Sequence, residues 1–154
     1  MNPIVLLLSL TLGLLAFPRP VERSGDAHYE GMWRGIITQE SGATTRYFDM
    51  SMVVSRRMDE DSLYDVSSHV EDGDYHAYME GSGFIGDDGK LYIAEHAIIR
   101  SDSIPGMEWC LKRLWVKPSL EDRTLHLRGW WEGDTGFGPC EPGYIDLVQA
   151  IIRP

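Results

Sequence analysis

The stretch GSGFIGDDGKLYIAE, residues 81–95, decides the fold class. Its first six residues, Gly81-Ser82-Gly83-Phe84-Ile85-Gly86, spell the G-x-G-x-x-G of dinucleotide-binding folds. That motif works only where it follows a strand and opens a helix whose N-terminus faces the pyrophosphate. Here Asp88-Gly89 comes next, a strong short hairpin signal, and Leu91 and Ile93 then alternate with other residues as a strand requires. The glycines therefore mark a bulge or a barrel corner inside a strand, and no cofactor is expected.

The same punctuation continues in both directions. Apolar residues repeat at period two, and turn clusters break them at roughly 8- to 12-residue intervals, the rhythm of an all-β sandwich or barrel. Eight strands are predicted: Met32 to Gln39, Thr44 to Ser55, Ser62 to His69, Tyr75 to Ile85, Lys90 to Arg100, Met107 to Lys117, Arg123 to Glu132 and Tyr144 to Arg153. Between them lie Ser41-Gly42, Asp72-Gly73-Asp74, Asp87-Asp88-Gly89, Pro105-Gly106, Lys117-Pro118-Ser119 and a long loop from Gly133 to Gly143. Consecutive antiparallel strands with short connections predict an eight-stranded up-and-down barrel, closed so that no edge is left. A two-sheet β-sandwich is the alternative. In the barrel, the loops around Ser41, Gly73, Ser103 and Gly136 share one end.

The chain opens MNPIVLLLSLTLGLLAFPRP, with an uncharged apolar run from Ile4 to Phe17 that suits the core of a secretory signal peptide. Residues 1–16 are read as that signal, 17–30 as a linker and 31–154 as a single β-barrel domain. The expected location is secreted or periplasmic, with no membrane span after cleavage. An oxidising compartment fits the two cysteines, Cys110 and Cys140, as one disulfide worth about 3 to 4 kcal/mol by loop-closure entropy. Both fall at the loop-bearing end described above. A pair of buried free thiols is the alternative.

Twenty-four acidic residues against 14 basic ones give a net charge of −10, which excludes a phosphate-backbone partner such as nucleic acid. The acids of the loop-bearing end, among them Asp72, Glu108, Glu132, Asp134 and Glu141, predict a negative rim that favours a neutral or cationic ligand over a free acid. Solubility alone also explains them.

Alternation assigns an inward face: Trp33 and Ile37; Phe48, Met50 and Met52; Leu91, Ile93, Ala97 and Ile99; Trp109, Leu111 and Trp115; Leu125, Leu127 and Trp131. Two charges, Glu95 and Arg113, fall in phase with these rows. A hairpin through Pro105-Gly106 sets them diagonally across from each other, within reach of long side chains. A charge inside a barrel must be paired, so Glu95 and Arg113 are expected to clamp one another. In an open cavity Arg113 instead receives a ligand carboxylate. Arg46, in phase with Phe48, is a weaker candidate of the same kind. The expected ligand-binding set is Arg113, Glu95, Trp109, Trp115, Trp131 and Arg46.

Other constellations carry less. His69-Val70-Glu71-Asp72-Gly73-Asp74-Tyr75-His76 brackets a hairpin and offers two imidazoles and three carboxylates to a divalent cation. A tight turn splays its side chains, so the segment is read as a solvated acidic turn and no metal is assigned. Asp59-Glu60-Asp61-Ser62 opens like a calcium loop, but Tyr64 stands where glycine is required. No G-x-S-x-G elbow occurs, and the chain is not read as an enzyme.

Gly31-Met32-Trp33-Arg34-Gly35 carries a G-x-W that resembles the start of calycin-type barrels, the lipocalins and avidins. The resemblance implies a Trp33 that plugs a closed barrel end. A lipocalin C-terminal helix and an avidin-type biotin site have no counterpart in this sequence. The wider pattern of Gly31-Met-Trp-Arg-Gly, Trp109-Cys-Leu-Lys, Leu127-Arg-Gly-Trp and Cys140-Glu-Pro-Gly is similar to small exported bacterial proteins of unknown function. Together these readings predict a secreted, non-enzymatic binding barrel for a small apolar or amphipathic ligand. The alternatives are an interaction or inhibitor module with a filled barrel, presenting Phe137 to a protein partner, and a hydrolase using loop carboxylates.

Overall fold

A computed structural model describes residues 29–60 and 62–150. The predicted signal peptide, most of the linker and residues 151–154 lie outside the described residues. Nine strands follow one another: β1 (Gly31–Ser41), β2 (Thr44–Arg56), β3 (Leu63–Asp72), β4 (Tyr75–Ile85), β5 (Leu91–Ser101), β6 (Leu111–Glu121), β7 (Thr124–Thr135), β8 (Gly138–Pro139) and β9 (Gly143–Gln149). Eight close into one antiparallel barrel, in the order β6-β5-β4-β3-β2-β1-β9-β7 with β7 returning to β6. The ninth, β8, is a two-residue piece paired to the end of β7. This is the predicted up-and-down barrel, and closure of the sheet on itself removes the sandwich alternative. No helix occurs among the described residues.

The glycine-rich stretch behaves as a strand corner. Register shifts twice between β4 and β5, at Tyr78/Met79 and Glu80/Gly81. A Cβ on Gly81 would sit 2.6 Å from the carbonyl oxygen of Ala94, so only glycine lets the two backbones approach there. Beyond it, Gly89 takes a left-handed φ of 71° in the turn to β5.

The two barrel ends differ. At one, Trp33 is fully buried; its indole N–H donates to the carbonyl of Tyr29 (2.9 Å), and the Tyr29 hydroxyl donates to the carbonyl of Gly89. Met52, Val54, Tyr64, Leu91, Val116 and Leu147 are buried as well and belong to the same core. At the other end the interior is not filled.

Four expectations change. Predicted strand six was to begin at Met107, but β5 runs on to Ser101 and residues 102–110 form a loop, so β6 starts at Leu111. The register is Ala94 opposite Arg113, and the inward residues of β6 are Lys112, Leu114 and Val116. Arg113 and Trp115 therefore point outward. On β5 the bulges move the phase after Glu95, leaving Ile99 exposed instead of inward. The β6–β7 turn lies at Asp122-Arg123, both at positive φ, and not at Lys117-Pro118-Ser119. Pro118 fits within β6 because the β5 ladder ends at Val116, so no partner on that side needs its missing N–H.

Candidate ligand cavity

At the loop-bearing end the barrel holds a cavity of about 460 Å³. Ile37 of β1, Phe48 of β2, Val70 of β3 and Trp131 of β7 form its apolar wall, with Ile104, Met107 and Trp109 of the β5–β6 loop arching over it. The Cys110–Cys140 disulfide is formed, with 6.4 Å between the Cα atoms, and lies in the rim as the sequence predicts. It ties the β5–β6 loop to the segment between β8 and β9.

Two indole anchors shape the wall. Trp131 Nε1 donates to the carbonyl of Thr38 (2.6 Å), and a Cβ on Gly143 would stand 2.9 Å from that nitrogen and 1.8 Å from the same carbonyl. Glycine at 143 is what lets β9 lie against β1 and the indole at once. Trp109 Nε1 donates to the carbonyl of Asp102 (2.8 Å), fixing the loop that crosses the mouth. Arg46 braces the opposite side. Its Nη2 donates to Asp72 Oδ2 (2.8 Å), its Nη1 reaches Met107 Sδ (3.4 Å), and its guanidinium lies 5.1 Å from the centroid of the Phe48 ring.

Lys112 contributes to the cavity lining and meets Glu95 inside the barrel. Lys112 Nζ lies 2.9 Å from Glu95 Oε2, with the two side chains 5 and 1 % exposed. The backbone N–H of Lys112 donates to the same oxygen (2.9 Å), the Ser68 hydroxyl donates to Glu95 Oε1 (2.5 Å), and Lys112 Nζ also donates to the carbonyl of Cys110 (3.2 Å). The carboxylate takes a main-chain donor at the position where the β5–β6 ladder stops, one residue past Ala94 and Arg113. Burial pushes the Lys112 ammonium below its ordinary pKa, against the attraction of Glu95.

The predicted clamp thus exists with a different cation. Glu95 is buried and paired, but to Lys112; Arg113 stands outside, 55 % exposed, 3.0 Å from Glu132 and 3.2 Å from Asp134. Trp115 lies on the outer wall opposite Tyr92, in a groove lined mainly by β4, β5 and β6. Of the expected ligand-binding set, Arg46, Trp109 and Trp131 line the cavity, Glu95 lies in the core paired to the lining Lys112, and Arg113 and Trp115 belong to the outer surface. Arg113→Met is accordingly expected to shift the urea unfolding free energy by no more than about 1 kcal/mol, the range of exposed ion pairs. A loss of several kcal/mol would place that guanidinium inside.

Sequence reasoning missed Lys112. The signal was present: Lys112, Leu114 and Val116 form an alternate row on the same strand, and a lysine stem of four methylenes packs as an apolar side chain where its head is met. The Trp109-Leu111-Trp115 row outweighed it only by size.

The rim keeps part of its predicted negative charge. Asp72 is engaged by Arg46, and Glu132 and Asp134 by Arg113. Glu108 and Glu141 line the mouth and make no ion pair among the described residues. No family model, curated protein or solved structure matches the chain.

Proposed function

We propose that this protein is a secreted or periplasmic, non-enzymatic binding barrel of calycin-like kind, which holds one small amphipathic molecule at the disulfide-bearing mouth. The observation that carries this reading is the cavity of about 460 Å³, within the range of small-molecule sites and walled mainly by apolar side chains. The apolar part of the ligand packs between Ile37, Val70 and Trp131. Its head stays at the rim, where Glu108 and Glu141 favour a neutral or cationic group. Lys112 is not the anchor for a ligand carboxylate, since Glu95 already satisfies it.

A disulfide in the rim is compatible with the exported location. The second reading, a protein partner, is favoured by Phe137, which is 88 % exposed at the tip between β7 and β8.

The neutral fluorophore N-phenyl-1-naphthylamine separates the two. Saturable, single-site enhancement is expected, with at least tenfold weaker binding in Val70→Trp, which fills the cavity, and unchanged binding in Phe137→Ala. Enhancement that survives Val70→Trp in a folded variant, or that is absent from the start, contradicts the cavity reading.

A further inference from the structure

The outer face of the β3–β4 hairpin brings together three metal-binding side chains that the cavity does not use. β3 runs past its predicted end at His69: Asp72 pairs with Tyr75 across Gly73-Asp74, so Glu71 remains within β3, while His76 lies in β4 as predicted. Alternation then sets His69 and Glu71 on one face, two residues apart, and cross-strand pairing sets His76 directly opposite Glu71. One ligand atom from each of the three lies within 4.8 Å of the others. All three side chains are half-buried.

The His69 ring and the His76 backbone are each braced. His69 stacks on Tyr78 at 4.2 Å between centroids and 6° between planes. The backbone of His76 is fixed by a reciprocal pair of hydrogen bonds with Asp102: its N–H donates to Asp102 Oδ2 (3.0 Å), and the Asp102 N–H donates to its carbonyl (2.8 Å). His69 Nδ1 lies 3.3 Å from Glu71 Oε1, which leaves Nε2 facing His76 Nδ1 at 3.1 Å. An ion bonded to both nitrogens at the usual zinc–imidazole length of about 2.0–2.1 Å would subtend roughly 100° across that separation, close to a tetrahedral or square edge. The two rings stack on each other at 5.3 Å between centroids and 18° between planes, so both swing off the line joining the two nitrogens to aim at one ion. A carboxylate hydrogen-bonded to the second nitrogen of a ligating histidine is the usual device that fixes its tautomer and raises its basicity, and Glu71 lies beside that nitrogen at 3.3 Å.

We propose that His69 and His76 bind one divalent transition-metal ion of the zinc or copper class on the barrel's outer wall. Glu71 orients His69 or completes the ligand set, and water fills the remaining positions. Imidazole nitrogens with a single carboxylate select such ions over calcium or magnesium, which need a shell of oxygens. The site lies on the opposite face of the sheet from the cavity and does not depend on it.

The test is calorimetric titration of the oxidised protein with Zn²⁺ alone, with Co²⁺ absorption in the visible as a second readout. Single-site binding is expected, weakened at least tenfold in His69→Ala and in His76→Ala and about 10- to 100-fold in Glu71→Gln. His96→Ala and His126→Ala should leave it unchanged, and near-ultraviolet circular dichroism should show every variant folded. Absence of Zn²⁺ binding to the wild type, or wild-type affinity in either single histidine variant, overturns the proposal. Neither result bears on ligand binding inside the barrel.

Discussion

Lys112→Met is expected to destabilise the barrel by about 3–5 kcal/mol, because it leaves the Glu95 carboxylate buried without its cation. Ser68 and the Lys112 backbone N–H still donate to that carboxylate in the variant, so two hydrogen bonds remain. They do not replace the charge, and the side chain is 1 % exposed, so water does not replace it either. The double variant Lys112→Met/Glu95→Leu removes the stranded charge and is expected to recover most of the loss, since apolar substitutes for a buried pair are often neutral or better. Urea unfolding of the two variants checks the prediction. A single variant no less stable than wild type would mean that Glu95 finds water or another partner. Arg113→Met, one position along the strand, is the matched control, because that side chain differs from Lys112 mainly in facing solvent.

The second large effect concerns the mouth. Cys110 and Cys140 are 30 residues apart, and Cys110→Ser/Cys140→Ser is expected to lower stability by about 3–4 kcal/mol through the freed loop entropy of the unfolded chain. The folded barrel should feel it too. The β5–β6 loop is held at its far end by Trp109 on Asp102 and through Met107 by Arg46, but it loses its tie to the segment before β9. Naphthylamine affinity should therefore fall while the closed end around Trp33 keeps its native near-ultraviolet signal. An unchanged urea midpoint would show that the bridge constrains neither state.

Strand number, barrel closure and the shared end of the two cysteines were legible because they rest on local chemistry: Asp88-Gly89, Gly73 and the period-two rows of β1, β2 and β7. Phase within β6 was not. Large apolar side chains stand on both faces of that strand, Trp115 outside and Leu114 and Val116 inside, so alternation alone does not choose between them. The choice fell to hairpin register, and register fails where a loop of residues 102–110 replaces a tight turn and β5 carries two bulges. Glu95 kept its predicted burial because it precedes both bulges on β5. Its partner moved by one residue, from Arg113 to Lys112, as a one-residue slip requires. Hollowness was illegible for another reason: it depends on how far Ile104, Met107 and Trp109 arch over the end, which the alternation of the strands does not encode.

The central claim is that an amphipathic molecule enters the barrel at the disulfide end, and methyl-resolved NMR titration with dodecylamine tests it most directly. Saturating shifts are expected at Ile37, Val70, Ile104 and Met107, with none at Val54, Val66 or Val116 in the packed core. Saturation that leaves the methyl groups of Ile37 and Val70 unmoved, or shifts confined to the outer wall, would contradict it.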